Sequence, residues 1–148
     1  MSITGETMTA ERVTFETKIA VAVCDELQTW QKLNMTTFLV SGIAATEPEL
    51  VGESYVDGSG NAYLPMFRQP VLVFSGDRDQ LRAVYGRALS RGLRFALFTE
   101  ELFSTGHDAD NRAAVQAVPS AELRIVGLAL HGERRVVDKV LKGLSLHH

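Results

Sequence analysis

The chain has 148 residues, of which 45% are hydrophobic and 22% are charged, and its formal net charge is −3. This composition excludes a disordered chain, and the length fits one globular domain. The only cysteine, Cys24, excludes an internal disulfide and a cysteine-rich metal cluster and is typical of a reducing compartment, so we expect a cytoplasmic protein. No apolar run reaches the roughly 20 residues of a membrane span, and the first ten residues lack a signal peptide's basic and apolar regions.

The charge pattern disfavours a nucleic-acid partner. Proteins that bind tRNA draw much of their affinity from phosphate neutralisation and are usually basic or carry a basic stripe. The arginines do cluster in one predicted helix, but at about 100° per residue Arg78 and Arg82 fall on one flank of its apolar face and Arg87 and Arg91 on the other. They therefore do not form one stripe, and we interpret them as solvated side chains beside a buried face.

The polar residues 1–16 are predicted to be a frayed tail, followed by a single domain over residues 17–148. The first strand, Lys18 to Val23, is apolar on both faces, as in a central strand covered by helices. Thr29 is a plausible N-cap for a helix from Trp30 to about Ala45. Because that helix is apolar most of the way round, we expect it to be largely buried.

The segment from Gly52 to Gln69 interrupts the alternation of helices and strands and predicts a small hairpin inserted into the domain. Its central run, Asp57-Gly58-Ser59-Gly60-Asn61, is similar to the start of a calcium loop, but Arg68 stands where the closing glutamate belongs. A hairpin turn is therefore the better interpretation. Insertions of this kind often cover a pocket or form a subunit contact, and this one carries the aromatic residues Tyr55, Tyr63 and Phe67.

The rest of the chain predicts three more strands and three more helices. A helix capped by Asp77 runs to about Arg91, where Gly92 provides the stop. Strands that alternate with helices indicate an α/β fold with a four-stranded core sheet. The other predicted strands are Val71–Phe74, Leu93–Phe98 and Glu122–Leu130, and the other helices are Asn111–Val118 and Glu133–Lys142.

The start of the first helix contains the first candidate site. Asp25 follows the first strand directly, and Lys32 lies one turn into a nearly uncharged helix. A lysine in that position either extends its stem to solvent or directs a positive charge into a pocket, and periodicity alone favours the first. Asn34 also has two interpretations: its amide is either buried and hydrogen-bonded within the protein or in contact with a ligand.

The most polar cluster runs from Thr105 to Arg112. His107, Asp108 and Asp110 could hold a metal ion, but no other obvious ligand exists in the chain, so we predict no metal. The alternative is a helix start, with Asp108 or Asp110 as cap and first-turn acid. For His107 both interpretations stay open, because it is the only candidate base in a predicted loop.

Other catalytic patterns are missing from the sequence. It contains no nucleophile elbow, no phosphate-binding loop and no dinucleotide glycine fingerprint, so we predict no cofactor. Cys24 could act as a nucleophile, but a cysteine at the end of a buried strand is more often a small core residue.

The sequence resembles the peptidyl-tRNA hydrolase II superfamily from Lys18 onward. In that family a strand ends in Asp-Leu and a lysine follows the aspartate by seven positions, the spacing of Asp25 and Lys32 here, with Glu26 inserted before Leu27. A closer resemblance is to an uncharacterised bacterial branch of that superfamily, carried by four short segments. They are Lys32-Leu33-Asn34, Gly52 to Asp57, Gln69-Pro70, and Gly106-His107-Asp108 with Asn111-Arg112.

The resemblance implies a three-layer α/β/α sandwich with a mixed sheet, and a homodimer. It brings no established substrate. Of the hydrolase's polar residues only Lys32 has a matched position, since Gln31 stands at the glycine before the lysine and Val126 at the threonine that opens the last strand.

Three functions follow as hypotheses. The first is binding or hydrolysis of a small polar or anionic molecule, with Lys32 holding negative charge and His107 or Asp25 moving a proton. The second is an interaction module that self-associates through the hairpin, and the third is peptidyl-tRNA cleavage. The predicted ligand contacts are Asn34, Tyr55, Asp57, Thr105, Asp108, Asn111 and Arg112.

Overall fold

The computed structural model of the protein describes residues 15–148. It contains a mixed α/β fold with one five-stranded sheet, one two-stranded sheet and four α-helices. The strands are β1 (Thr17–Cys24), β2 (Tyr55–Val56), β3 (Ala62–Tyr63), β4 (Val71–Gly76), β5 (Phe95–Thr99), β6 (Ile125–Glu133) and β7 (Ser145–Leu146). The helices are α1 (Thr29–Thr46), α2 (Arg78–Ser90), α3 (Asp108–Gln116) and α4 (Arg134–Val140).

The large sheet has the strand order β5-β6-β1-β4-β7. β1 and β4 are parallel, and every other neighbouring pair is antiparallel. β1 lies at the centre with Ile19 to Cys24 fully buried, as its apolar sequence predicts. The prediction of four strands is wrong, because β7 pairs with β4 through Phe74 and Leu146. A two-residue strand has no periodicity to read, and only tertiary placement reveals it.

The helices lie on both faces of the sheet. A Cβ atom on Gly127 would collide with the sulfur of Met35, so α1 packs closely over β6 at that point. A Cβ atom on Gly132 would lie 3.6 Å from Val137 of α4. Positions 127 and 132 point to opposite faces of a regular strand, so α1 and α4 cover opposite sides. α2 lies beside α4, where Arg87 Nε donates to the carbonyl of Val140 at 3.0 Å.

The first helix differs from its prediction in two ways. Gln28, and not Thr29, is the N-cap residue, and its backbone N–H donates to Gln31 Oε1 at 2.9 Å. The expectation that α1 is largely buried is also wrong. A single stripe at i, i+4 and i+8 (Met35, Leu39, Ile43) is buried on the sheet. The sheet covers one side of the helix only, so Trp30, Leu33 and Phe38 are 56%, 66% and 56% exposed.

The remaining predicted elements agree more closely. Asp77 caps α2 by accepting a hydrogen bond from the Gln80 N–H at 2.8 Å, as predicted. β2 and β3 form the predicted antiparallel hairpin. α3 begins at Asp108, three residues before the predicted start, with His107 as its N-cap residue. Asp108 and Asp110 therefore lie in the first turn, where a carboxylate interacts favourably with the helix dipole.

The frayed tail predicted for residues 1–16 falls almost entirely outside the described residues. Within the described part of the chain, no helix combines the length and apolar character needed to span a membrane.

Candidate ligand-binding site

A cavity of about 610 Å³ lies along one flank of α1, facing β4 and the segment after β7; we call it the α1 groove. Its size is within the range of small-molecule pockets. Apolar side chains, threonines, one lysine and two histidines form its wall, and no aspartate or glutamate does. The lining residues are Val23, Thr29, Lys32, Leu33, Thr36, Thr37, Val40, Val73, His147 and His148.

Lys32 is the charged group of the groove. Its Nζ lies 3.1 Å from Nε2 of His147, whose Nδ1 lies 2.7 Å from the backbone oxygen of His148. Among residues 15–148, no carboxylate lies within ion-pair distance of Lys32. The side-chain partner of the ammonium is therefore an imidazole and not a carboxylate.

The local sequence explains how this lysine reaches the groove. Lys32 is the only charged residue between Thr29 and Thr46. The residues at positions 29, 32, 36 and 40 recur at intervals of three and four and share one side of the helix. The opposite wall comes from the end of the sheet, where the His147 N–H donates to the carbonyl of Val73 at 2.9 Å. That contact extends the β4–β7 pairing and brings the imidazole to Lys32.

A second cavity, of about 580 Å³, lies at the ends of β1, β4 and β5; we call it the strand-end crevice. Ligand sites in α/β proteins often lie at the carboxyl ends of the strands. This cavity is polar and contains both signs of charge. It is lined by Glu26, Leu27, Gln31, Arg78, Glu100, Glu101, Phe103, Ser104, Thr105 and Arg124.

Both arginines of the strand-end crevice are paired with glutamates of the crevice. Arg78 pairs with Glu26 at 3.3 Å and also with Glu100, while Arg124 pairs with Glu101 at 2.6 Å and with Glu100 at 3.4 Å. The hydrogen bond from Arg124 lowers the pKa of Glu101. Burial opposes the charge of Arg78, but the hydrogen bond and the negative charge of Glu100 raise the pKa of Arg78 overall. These groups stabilise each other and leave no free cation for an anionic ligand.

Cys24 lies between the two cavities, at the end of β1. Its side chain is fully buried, and burial raises the pKa of the thiol despite an opposing backbone hydrogen bond. Ligand atoms of Cys24, Asp25 and Glu26 lie within 4.8 Å of one another, close enough to meet at one ion. Glu26 already accepts from Arg78, however, and a protonated thiol is a poor metal ligand. Among the described residues these three are the only such group.

The predicted polar cluster makes its contacts within itself. The Thr105 hydroxyl donates to the Asn111 side chain, and Asp108 pairs with Arg112 at 2.6 Å in an i, i+4 arrangement. His107 is exposed and is not among the residues that line the α1 groove. Thr105 is the one member of the cluster that lines the strand-end crevice.

The other predicted site residues are also spread over the molecule. Asp57 binds its own hairpin by accepting from the Tyr63 hydroxyl at 2.6 Å and from the backbone N–H of Ser59 and Asn61. The hydrogen bond from Tyr63 contributes most to lowering the pKa of Asp57 to about 2. Tyr55 lies opposite Tyr63 in the hairpin and is exposed, as are Asn34 and Asp25. Of all the predicted residues, Lys32 alone lines the α1 groove.

Sequence reasoning missed the residues that complete the two cavities. His147 gave no signal, because it reaches Lys32 only through the pairing of β7 with β4. Val40 lies on the helix that the sequence predicts to be largely buried, and the pattern does not show that its side chain lines a cavity. Arg78 was assigned to solvent, and its glutamate partners come from distant parts of the chain.

Fold and site together define a mixed α/β protein with an apolar groove beside its first helix and one uncompensated lysine in that groove. The chain belongs to the family described as "Protein of unknown function (DUF2000)", whose model matches residues 17–148. A solved structure of a protein of unknown function from Agrobacterium tumefaciens strain C58 is similar, with 46% sequence identity and a TM-score of 0.89. The match covers 91% of this chain and 100% of that one. No curated protein matches.

Proposed function

We propose that the protein binds a small anionic molecule in the α1 groove, with Lys32 as the group that holds its charge. One observation carries this proposal: the ammonium of Lys32 lies in a cavity with largely apolar walls, and its side-chain partner is the imidazole of His147 at 3.1 Å and not a carboxylate. An ammonium in apolar surroundings gains free energy from an anion, because charge-assisted hydrogen bonds are stronger there than in water. The single buried cysteine is consistent with action in the cytoplasm.

Binding fits the geometry better than hydrolysis does. Asp25 and His107, which the sequence offered for proton transfer, do not line the α1 groove. A general acid or base must reach the reacting group within hydrogen-bond distance. His147 does line the groove, but its Nε2 contacts Lys32 and its Nδ1 contacts the backbone oxygen of His148, so both ring nitrogens are already engaged.

The test is a thermal-shift measurement with a panel of small anions. We expect anions to raise the melting temperature of the wild type and to have no effect on Lys32→Met, which keeps the length of the side chain and removes the charge. Lys139→Met is the matched control, since Lys139 is exposed on α4 and lies outside the groove. Equal shifts in the wild type and in Lys32→Met would contradict the proposal.

We further propose that this family is a branch of the peptidyl-tRNA hydrolase II superfamily and has its three-layer α/β/α architecture. The spacing of Asp25 and Lys32 and the helices on both faces of the sheet support this relationship. We do not extend it to cleavage of peptidyl-tRNA, because the chain is acidic overall and its arginines bind glutamates and backbone carbonyls. Release of an N-blocked amino acid from tRNA by the wild type, lost in Lys32→Met, would reverse that judgement.

A second candidate function is self-association through the hairpin. Its exposed apolar side chains include Leu64, which is 84% exposed. Exposed apolar residues grouped in this way often mark a contact surface. Leu64→Ser should shift a dimer towards monomer in sedimentation velocity, whereas Leu89→Ser, at a residue that is 51% exposed on α2, should not. A wild type that is monomeric at all concentrations would remove this candidate.

A further inference from the structure

We infer that the ligand of the α1 groove is a free amphipathic carboxylate, a molecule with one carboxylate group and an unbranched apolar body. This inference rests on the proposed function and adds the class of ligand. Three features of the groove lead to it: the hydrogen bonds of its hydroxyl groups, its single charge, and its length along α1.

The hydroxyl groups of two lining threonines are already occupied. Thr36 Oγ1 donates to the Lys32 carbonyl at 2.7 Å, and Thr37 Oγ1 donates to the Asn34 carbonyl at 2.6 Å. A hydroxyl has one proton to donate, so neither has one left for a ligand. A sugar or another molecule rich in acceptor oxygens would bury those oxygens without a donor from these two threonines, which costs free energy.

The charge of the groove matches one negative charge. Lys32 is the only lysine, arginine, aspartate or glutamate among the lining residues. A carboxylate is neutralised by one ammonium. A dianionic phosphate would keep one charge uncompensated beside apolar side chains, where its desolvation is costly.

The shape of the groove matches an apolar chain. Lys32 and Val40 are separated by eight residues, which is about 12 Å along an α-helix. Leu33 and Val40 on α1, with Val73 on the opposite wall, provide an apolar surface over this distance. A carboxylate bound at Lys32 therefore has an apolar path for a chain of several methylene groups that leads towards Val40.

The test is calorimetric titration of the full chain with acetate, hexanoate, octanoate and decanoate, all below their micelle concentrations. Affinity should rise by up to about fourfold per buried methylene and level off when the chain reaches Val40. Octanol has the same body without the charge and should bind at least about tenfold more weakly than octanoate. Inorganic phosphate should show no binding.

Two variants make the result specific. Lys32→Met should reduce octanoate affinity by about tenfold or more and make octanoate and octanol bind alike. Val40→Trp should fill the far end of the groove, so that decanoate loses its advantage while hexanoate is unaffected. Circular dichroism and the melting temperature show whether each variant is folded, and Lys32→Arg, which keeps the charge, should retain binding.

The possible outcomes separate the class of ligand from the proposed function. If acetate or phosphate binds as tightly as octanoate and requires Lys32, the inference is overturned and the proposed function stands. If octanol binds as tightly as octanoate and Lys32→Met has no effect, both are overturned. Failure of every anion to bind the wild type would also overturn both.

Discussion

The α1 groove and the strand-end crevice flank the end of β1 and have similar volumes, about 610 Å³ and 580 Å³. Their charges are organised in opposite ways. In the crevice, two arginines are bound to three glutamates, so that no cation is left over for an anionic ligand. In the groove, one ammonium has an imidazole as its partner and largely apolar surroundings.

This difference shows that the position of a cavity in the fold does not decide its role. The crevice occupies the place where α/β proteins commonly bind ligands, but its charged groups already satisfy each other. The groove lies to one side of that place and keeps a charge available. We therefore expect the crevice to contribute to stability and the groove to contribute to binding.

The largest difference in the free energy of unfolding should appear between substitutions at two neighbouring residues of α1. Leu39 is fully buried against β6, whereas Val40 is half-buried in the wall of the α1 groove. Leu39→Ala should lower the free energy of unfolding by about 3 kcal/mol, and Val40→Ala by about 1 kcal/mol or less. Urea denaturation measures both values. Equal losses would mean that the groove wall is part of the core and has no room for a ligand.

The next difference concerns the two cations. Arg78→Met should reduce the free energy of unfolding by about 1 kcal/mol, because it removes the ion pair of Glu26 and leaves Glu100 with only its longer contact to Arg124, in a partly solvated site. Lys32→Met should change it by less than about 0.5 kcal/mol, since no ion pair is lost. The affinity for octanoate should change in the reverse order: Lys32→Met should lower it, and Arg78→Met should leave it unchanged. A variant of Arg78 that lost binding would contradict the separation of the two cavities.

A smaller effect should appear at Cys24. Because burial raises its pKa, the thiol should react with iodoacetamide much more slowly than a free cysteine at neutral pH. The rate should still be rising at alkaline pH where a free thiol has levelled off. Mass spectrometry after timed labelling measures it, with the urea-unfolded protein as control. Fast labelling of the folded protein at pH 7 would restore Cys24 as a candidate nucleophile.

The smallest effect concerns the hairpin. Hydrogen bonds, the strongest from Tyr63, lower the pKa of Asp57 from its ordinary value of 3.8 to about 2. A carboxyl group with a lowered pKa stabilises the folded hairpin above pH 3.8 and loses that contribution as the pH falls through about 2. Carbon NMR of the Asp57 carboxyl should follow this titration. In Tyr63→Phe, which removes the hydroxyl, the midpoint should move up towards the ordinary value.

Much of the fold could be predicted from local patterns. The continuous apolar run gave the central strand, Asp77 and Gly92 marked the limits of α2, and the glycine-rich turn gave the hairpin. β7 could not be predicted, because two residues carry no periodicity. The exposure of one side of α1 could not be predicted for a different reason. Apolar residues on a helix show which side chains can be buried, but the width of the sheet beneath the helix decides which of them are buried.

The candidate site was predicted only in part. A lysine on an otherwise uncharged helix was a valid signal, and Lys32 does line a cavity. The sequence predicts His107 or Asp25 as the group that acts beside Lys32, but the structure places Nε2 of His147 at 3.1 Å from its Nζ instead. Both histidines are far from Lys32 in sequence, and local patterns carry no information on which of two distant residues the chain brings close.

The sequence by itself determined the class of fold, the central strand and the isolated positive charge on the first helix, because these depend on residue type and short-range spacing. The tertiary structure alone decided which cations are neutralised. Ion pairing falls steeply with distance, and the strand order places glutamates beside Arg78 and Arg124 and an imidazole beside Lys32.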